Sequence, residues 1–564
     1  MKFVDLLGIN RRLVVLGALS MSSFATGCIA DNAVNDDAAA FDDDAADDGE
    51  LGSRDEVVGE AQQAIVTNLD TTIGTILATR AASATNTPIG LAAAVVANGQ
   101  IYYNVWGNRS QGIVTPVQTT DRFSMGSISK PITGEWIAKK IDAGALSYKT
   151  RIIDVLPGLF TDTTPNNGID VNPHQSATIA HLMSHTGGFA YQPTDQNPGE
   201  QYLFLPALPL RRLNYVDDAI VDPLMYPLGT VEVYDGSAVT ATSMFEMSLG
   251  IAYESDINTV LFSPLGMSTA GFGQLSISKT VVTGVINHSG TPLVALDPVD
   301  GNVQRSPVGG VGASVIDMGK FLNYALTSHP NLRETVGRSS FTPLGWIATV
   351  KNNANGLELS HSGSDGTYRA VAVVWPARGL AFVVATNSNN SAVLSSIMAD
   401  LQNTATTTWG APGVAFPEAG ALTYQIGSGQ VTPSAAVNAF DGDYSTSWTA
   451  PAPTGTPQPA SLTVALSSPS SVSGVVLNEA GPFTEPTQPP AAYFERTSQA
   501  YRVEHFNLWL WKAATSTWIL AASGDSMGPK KAISFGTTFT GITKARLELS
   551  SSQSLSMREF HLLP

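Results

Sequence analysis

Two apolar runs, LAAAVVA and IYYNVW, flank Asn98-Gly99 within residues 90–107. The pattern predicts a β-hairpin, because Asn-Gly readily takes the left-handed backbone of a two-residue hairpin turn. In KPITGEWIAKKIDAGAL (130–146) the apolar positions follow helical spacing and Gly144 stands at the end, which predicts a helix with a glycine stop. SVIDMGKFLNYAL (314–326) predicts a second helix. ELSHSG, YRAVAVVW and LAFVVATN, between 358 and 387, are short apolar runs separated by turn-forming residues, as in an antiparallel meander. Strands and helices are mixed without regular strand–helix–strand alternation, so the expected class is α+β, an antiparallel sheet flanked by helices. Residues 405–434 are rich in Thr, Gly and Pro and read as an interdomain connection. Beyond them SLTVAL, SGVVLNE, EHFNLWLW and KARLELS recur at the spacing of an all-β sandwich.

A chain of 564 residues exceeds what one core serves, which fits this division. The net charge of −17 is local: residues 31–60 hold twelve Asp/Glu against one Arg, so −11 of it lies there. That stretch repels itself and offers no core, so it reads as a disordered spacer. The rest carries no basic field for nucleic acid. At the start, Lys2, Arg11 and Arg12 precede an apolar run (13–27) of signal-peptide length that ends at Cys28, the only cysteine. One cysteine excludes an intrachain disulfide framework. The expected segments are a signal peptide (1–28), an acidic linker (29–62), a first domain (63–410), a connection (411–430) and a sandwich (431–564).

The string Ser-Ile-Ser-Lys occurs twice, at 127–130 and 276–279. In the first, Lys130 opens the helix, so Ser127 stands at its amino end, one turn from the lysine and on the same face. The free N–H groups there suit a developing oxyanion, and the lysine amine can take the serine proton. The second copy runs on into β-branched TVVTGVIN and reads as extended. In a strand, i and i+3 point to opposite faces, so Ser276 and Lys279 cannot meet.

FSMGSISKPITGEWIAKKIDAGALSYKTRIIDVLPG (123–158) resembles the active-site segment of the serine β-lactamase-related hydrolases, which include class C β-lactamases, D-alanyl-D-alanine carboxypeptidases and esterases. TIAHLMSHTGGF, INTVLFSPLGMSTAGFG, SPVGGVGASVIDMGKFL and LSHSGSDGTYRAVAVVWPARGLAFVVATN resemble later family segments in the same order. The resemblance implies a β-lactamase/transpeptidase-like sheet with a helical subdomain. It implies Ser127 as nucleophile, Lys130 as its base, and Tyr234 as the proton relay of a Tyr-x-Asn element. It further implies His361-Ser362-Gly363 in place of Lys-Thr-Gly, and an oxyanion hole from the backbone N–H groups of Ser127 and Ser364. Two positions depart from the family. Gly236 replaces the asparagine, for which Asp235 or Ser237 could substitute. His361 replaces a lysine, keeping a polar, partly cationic strand position or merely satisfying a strand edge. His181 and His185 lack the pattern of a metal pair and read as structural. Arg369 reads as a solvated surface residue or a contact for a substrate carboxylate.

Ala25-Thr-Gly-Cys28 resembles a bacterial lipobox, implying lipidation at Cys28 and a membrane anchor on an exported protein, at the periplasm or cell surface; an ordinary signal peptide is the other reading. AVNAFDGDYSTSWTA (436–450) and the stretches 526–550 and 557–564 resemble the discoidin-like, galactose-binding-type domains. That resemblance implies a jelly-roll sandwich, a glycan ligand, and a structural calcium held by Asp441, Asp443, Thr446 and Glu559. A calcium-free sandwich with Trp448 in the core is the alternative. Trp509, Trp511 and Trp518 read either as sugar platforms or as core. The expectation is an exported Ser-x-x-Lys hydrolase needing no catalytic cofactor, acting on peptidoglycan peptides ending in D-alanine. A small-ester hydrolase of the same fold, and a catalytically inactive glycan-binding protein, are the rival readings.

Overall fold

The hairpin around Asn98-Gly99 nucleates the first sheet. Both turn residues take positive φ (51° and 75°), and strands β1 (Gly90–Ala97) and β2 (Gln100–Ser110) pair from Ala97↔Gln100 back to Gly90↔Gly107. Strand β3 (Ile113–Pro116) adds beyond β2. On the other side come the carboxy-terminal meander and its neighbour, β4 (Ile347–Thr349), β5 (Glu358–Ser364), β6 (Arg369–Trp375) and β7 (Leu380–Thr386). The order is β3-β2-β1-β7-β6-β5-β4, antiparallel throughout, so chain segments some 290 residues apart meet at β1–β7. Every residue of β1 and of β7 is buried, the pattern of central strands covered on both faces.

The computed structural model describes residues 54–564 apart from 161–171, 191–206, 274–284, 287–291, 294–305, 409–418, 432–438, 440–446, 450–459, 480–494, 497–502, 551–555 and shorter gaps. The signal peptide, Cys28, residues 29–53 of the acidic spacer and the second Ser-Ile-Ser-Lys string lie outside the described residues, whereas 54–62, expected as the disordered end of that spacer, form the first turns of a helix that continues into the domain.

Helix α1 (Arg54–Ser83) buries Ile73, Leu77 and Ala81. The helix expected at 130–146 is α2 (Ser129–Asp142), and Gly144 takes φ 83° just past its end. Helices α3 (Leu208–Val221) and α4 (Ser237–Leu249) form the helical subdomain. The helix expected at 314–326 is α5 (Val315–Ala325), whose Ser314 side chain accepts from the Asp317 N–H as an N-cap. Helix α6 (Ser391–Thr408) packs on β7 beside α5. In the subdomain, Arg212 of α3 is fully buried and reaches Glu246 of α4 (2.5 and 2.8 Å) and Glu254 (2.8 and 2.9 Å). Burial opposes the guanidinium charge, but the two carboxylates outweigh it and hold Arg212 charged.

The second sheet begins earlier than its sequence suggests. Residues 419–431, read as part of a connection, form β8 (Ala419–Ile426) and β9 (Gly429–Val431). The glycines of this stretch weaken its strand propensity, but pairing with a long neighbour overrides it. That neighbour is β10 (Ala460–Glu479), followed by β11 (His505–Lys512), β12 (Thr517–Gly524), β13 (Lys531–Ser550) and β14 (Ser556–Leu563). The path is β9-β8-β10-β13-β11-β12, with β14 also on β10. Strands β10 and β13 slip register between Ala465 and Gly474, so each runs through both halves of the sheet. Leu462 and Val464 of one half then share a core with Val475 and Leu477 of the other. Trp448 lies in that core, whereas Trp509, Trp511 and Trp518 do not: Leu508 and Leu510 fill it, and the alternating tryptophans stand half-buried on the opposite face. Asp441, Asp443 and Thr446 lie outside the described residues, and Glu559 is on β14 opposite Asn478.

The sandwich meets the first domain at residues 334–335, and Glu495–Arg496 of the carboxy-terminal region pair with Glu232–Val233. Thr335 N–H donates to the Ala532 carbonyl (3.2 Å), Ala532 N–H to Thr335 Oγ1 (3.2 Å), and Ser534 N–H to Glu334 Oε1 (2.7 Å).

Removing one member of a buried ion cluster strands the others. Arg212→Ala should therefore cost about 3–5 kcal/mol, read as a lowered urea midpoint. An unchanged midpoint would show that the cluster does not hold α3 to α4.

Candidate active site

The chain enters α2 through a single 3-10 turn, Gly126–Ile128, which places Ser127 half-buried at the head of the helix. Lys130 lies one turn on and is buried. Its Nζ is 3.2 Å from Ser127 Oγ, 2.7 Å from the Tyr234 hydroxyl and 3.2 Å from the Val308 carbonyl. Tyr234 arrives from the helical side of the cleft, directly after the two-residue strand Glu232–Val233. Short helix Ser306–Gly309 forms the floor, fixed to α2 by Thr133 Oγ1, which donates to the Pro307 carbonyl (2.7 Å). An amine between a serine hydroxyl and a phenol can pass a proton either way, so this row of three groups can both activate the serine and protonate a leaving group.

Strand β5 lies against the serine turn at a distance that no side chain would permit. A Cβ on Gly363 would stand 1.9 Å from the Met125 carbonyl oxygen and 3.2 Å from Ser127 N. One on Gly126, where φ is 49°, would stand 2.5 Å from Ser364 N. The two glycines thus bring the Ser127 and Ser364 amides side by side, and paired N–H groups suit a tetrahedral oxyanion.

The wall behind Tyr234 is aromatic. The His185 ring lies 4.6 Å from both Tyr234 and Phe341, and Phe341 lies 5.9 Å from both Tyr234 and His361. His185 Nδ1 is 3.0 Å from Asp235 Oδ1, and both side chains are almost wholly buried. Glu232 accepts hydrogen bonds from Ser340 N–H and Oγ (2.6 Å each), which pins the loop carrying Phe341.

His361 is buried, and its Nδ1 meets the Ser362 carbonyl at 2.7 Å. Burial, reinforced by the Lys130 charge, lowers its imidazole to about 3. The partly cationic position expected from the sequence is therefore a neutral one. Ser362, next to it, is exposed.

Neither expected substitute for the missing asparagine is available. Asp235 is buried against His185 and accepts from Ser237 N–H (2.9 Å) and Oγ (2.6 Å), so each is engaged by the other. The space in front of Gly236 is instead filled from α3, where the Tyr215 hydroxyl would lie 2.2 Å from a Cβ at that position. Arg369 Nε donates to Asn389 Oδ1 (2.6 Å).

Sequence reasoning thus assembled Ser127, Lys130, Tyr234, His361, Ser362, Gly363 and Ser364 at one place. It left out Phe341 and Tyr215, and it read His185 only as a structural histidine. No local motif marks Phe341 or Tyr215.

Residues 78–406 match the beta-lactamase family, and the chain belongs to it. Over 181 residues it is 29% identical to penicillin-binding protein 4 of Amycolatopsis lactamdurans, covering 32% of this chain and 43% of that protein. Over 176 residues it is 27% identical to penicillin-binding protein 4* of Bacillus subtilis (strain 168), covering 30% of this chain and 34% of the relative. The matches therefore span less than half the length of either relative. A beta-lactamase/D-alanine carboxypeptidase from Pseudomonas syringae is similar in structure, with a TM-score of 0.47 at 18% identity over 59% of this chain and 99% of that one. Residues 425–492 match the third carbohydrate-binding module of arabinofuranosyltransferase D.

Gly363→Ala should lower acylation of Ser127 by on the order of 100-fold by pushing the Ser364 amide away; undiminished labelling by an active-site phosphonate would contradict this. A second outcome concerns pH. The unfolded chain protonates residue 361 near 6.5, the folded one only near 3. Between those values the unfolded state binds the extra proton, so stability falls as pH falls. His361→Asn removes this contribution, and its urea midpoint should drop less than wild type's between pH 7 and pH 4.

Proposed function

We propose that this beta-lactamase-family chain is an exported serine hydrolase that forms an acyl-enzyme on Ser127. Its substrates in this reading are peptidoglycan stem peptides ending in D-alanine, or related D-amino acid peptides. The carbohydrate-binding module would keep it at the cell surface, and a lipid on Cys28 would anchor it to the membrane. The observation that carries the catalytic part is Lys130 Nζ lying between Ser127 Oγ (3.2 Å) and the Tyr234 hydroxyl (2.7 Å).

In this mechanism the Lys130 amine takes the Ser127 proton as Oγ bonds to the substrate carbonyl carbon. The carbonyl electron pair moves onto oxygen, where the Ser127 and Ser364 N–H groups hold it. On collapse the C–N bond breaks, and the departing nitrogen receives a proton from the Tyr234 phenol, which is replenished from Lys130. Water then repeats the addition along the same row, freeing Ser127 and releasing the acid. The similarity to penicillin-binding proteins supports a peptide substrate of this kind.

The neutral His361 supports a second reading. With that ring uncharged, the position of the family's lysine offers no cation to a substrate carboxylate, which favours uncharged acyl donors such as small esters.

Reaction of the purified protein with a fluorescent penicillin and a fluorescent phosphonate, beside Ser127→Ala, separates these readings. Labelling by both probes, lost in the variant, is the expected result. Phosphonate labelling alone would favour the esterase, and labelling by neither would leave a catalytically inactive glycan-binding protein.

A further inference from the structure

The outer face of the sandwich carries an ordered aromatic surface. On β11, Leu508 and Leu510 enter the core, so Trp509 and Trp511 face outward. Cross-strand pairing extends the surface on both sides. On β12, Leu520 stands opposite Trp509 and Trp518 opposite Trp511. On β13, Arg546 pairs with Trp509 and Lys544 with Trp511. Leu520 is 47% exposed, an unusual exposure for an apolar side chain on an otherwise well-packed sheet.

The groups hold one another in place. The Arg546 guanidinium lies 4.5 Å from the Trp518 ring centre, and Trp511 and Trp518 meet edge to face at 5.3 Å. Trp509 Nε1 donates to Glu548 Oε2 (2.8 Å), and Arg546 Nε is 3.2 Å from Glu548 Oε1. Rings fixed before a ligand arrives lose little rotamer freedom on binding it. Indole faces accept the C–H side of a pyranose ring, while Arg, Lys and Glu at the ring edges exchange hydrogen bonds with its hydroxyls. Lys544 and Arg546 against Glu548 leave one net positive charge on the face, complementary to an anionic polymer.

We propose that this face, centred on Trp511, Trp518, Arg546 and Lys544, is the ligand-binding surface of the module and takes the glycan strand of peptidoglycan. Sugar rings stack on the tryptophans, and carboxylates of the wall polymer lie beside Lys544. The proposal rests on the glycan-binding reading of the carboxy-terminal domain given above, and it extends the matched stretch 425–492 to strands beyond it.

The full-length protein is co-sedimented with purified peptidoglycan sacculi, alongside Trp511→Ala/Trp518→Ala and the exposed-site variant Lys544→Glu. Both variants should bind at least ten-fold more weakly, while their phosphonate labelling at Ser127 stays at the wild-type rate. Wild-type affinity in both variants would overturn the surface and leave the module reading standing. Failure of the wild type to bind either sacculi or any polysaccharide on a glycan array would overturn the module reading itself. Stronger competition by a neutral polysaccharide than by solubilised wall fragments would overturn the choice of ligand.

Discussion

The contact between two stretches of bare backbone, Gly126 on the serine turn and Gly363 on β5, governs the rest of the site. Carbonyl and amide groups meet there with no side chain between them. Strand β5 can reach that position because β6 and β7 carry it from the buried centre of the sheet. The turn can reach it because α2 is held from behind by the segment around Pro307. The serine hydroxyl, its lysine and the two amides then follow from where two main chains touch, and a single methyl group is enough to disturb them.

Around this contact the electrostatics are sparse. Lys130 is the amine at the centre, and its surroundings are hydroxyls, carbonyls, an uncharged imidazole and aromatic rings. The carboxylates nearby are occupied with structure: Asp235 with Ser237 and His185, and Glu232 with Ser340. Tyr215 belongs to the same economy, since its hydroxyl fills the space at Gly236 from a helix that the Arg212 cluster holds in place.

Local signals carried much of this in the sequence. The hairpin at Asn98-Gly99, the helix ending near Gly144 and the meander after 358 each rest on turn chemistry or periodicity within a dozen residues, and each forms where its pattern lies. Ser127 and Lys130 were legible because one helical turn joins them. Phe341 and Tyr215 were not, because they reach Tyr234 and Gly236 from more than a hundred residues away and from the neighbouring helix respectively. Strand β8 was missed because partnership with β10, not its own composition, makes it a strand. The tryptophans of β11 defeated a composition argument for a related reason: alternation shows that two faces differ, not which one is inside.

The sandwich and the wall behind Tyr234 share supporting main chain. Thr335 is hydrogen-bonded to β13 of the sandwich, and Phe341, further along the same segment, stands 5.9 Å from Tyr234. Glu495–Arg496, beyond β10, pair with Glu232–Val233, the short strand that leads directly into Tyr234. Two separate contacts with the carboxy-terminal region therefore end beside the same phenol, which makes that region part of the scaffold around Tyr234 and not only an appendage for attachment.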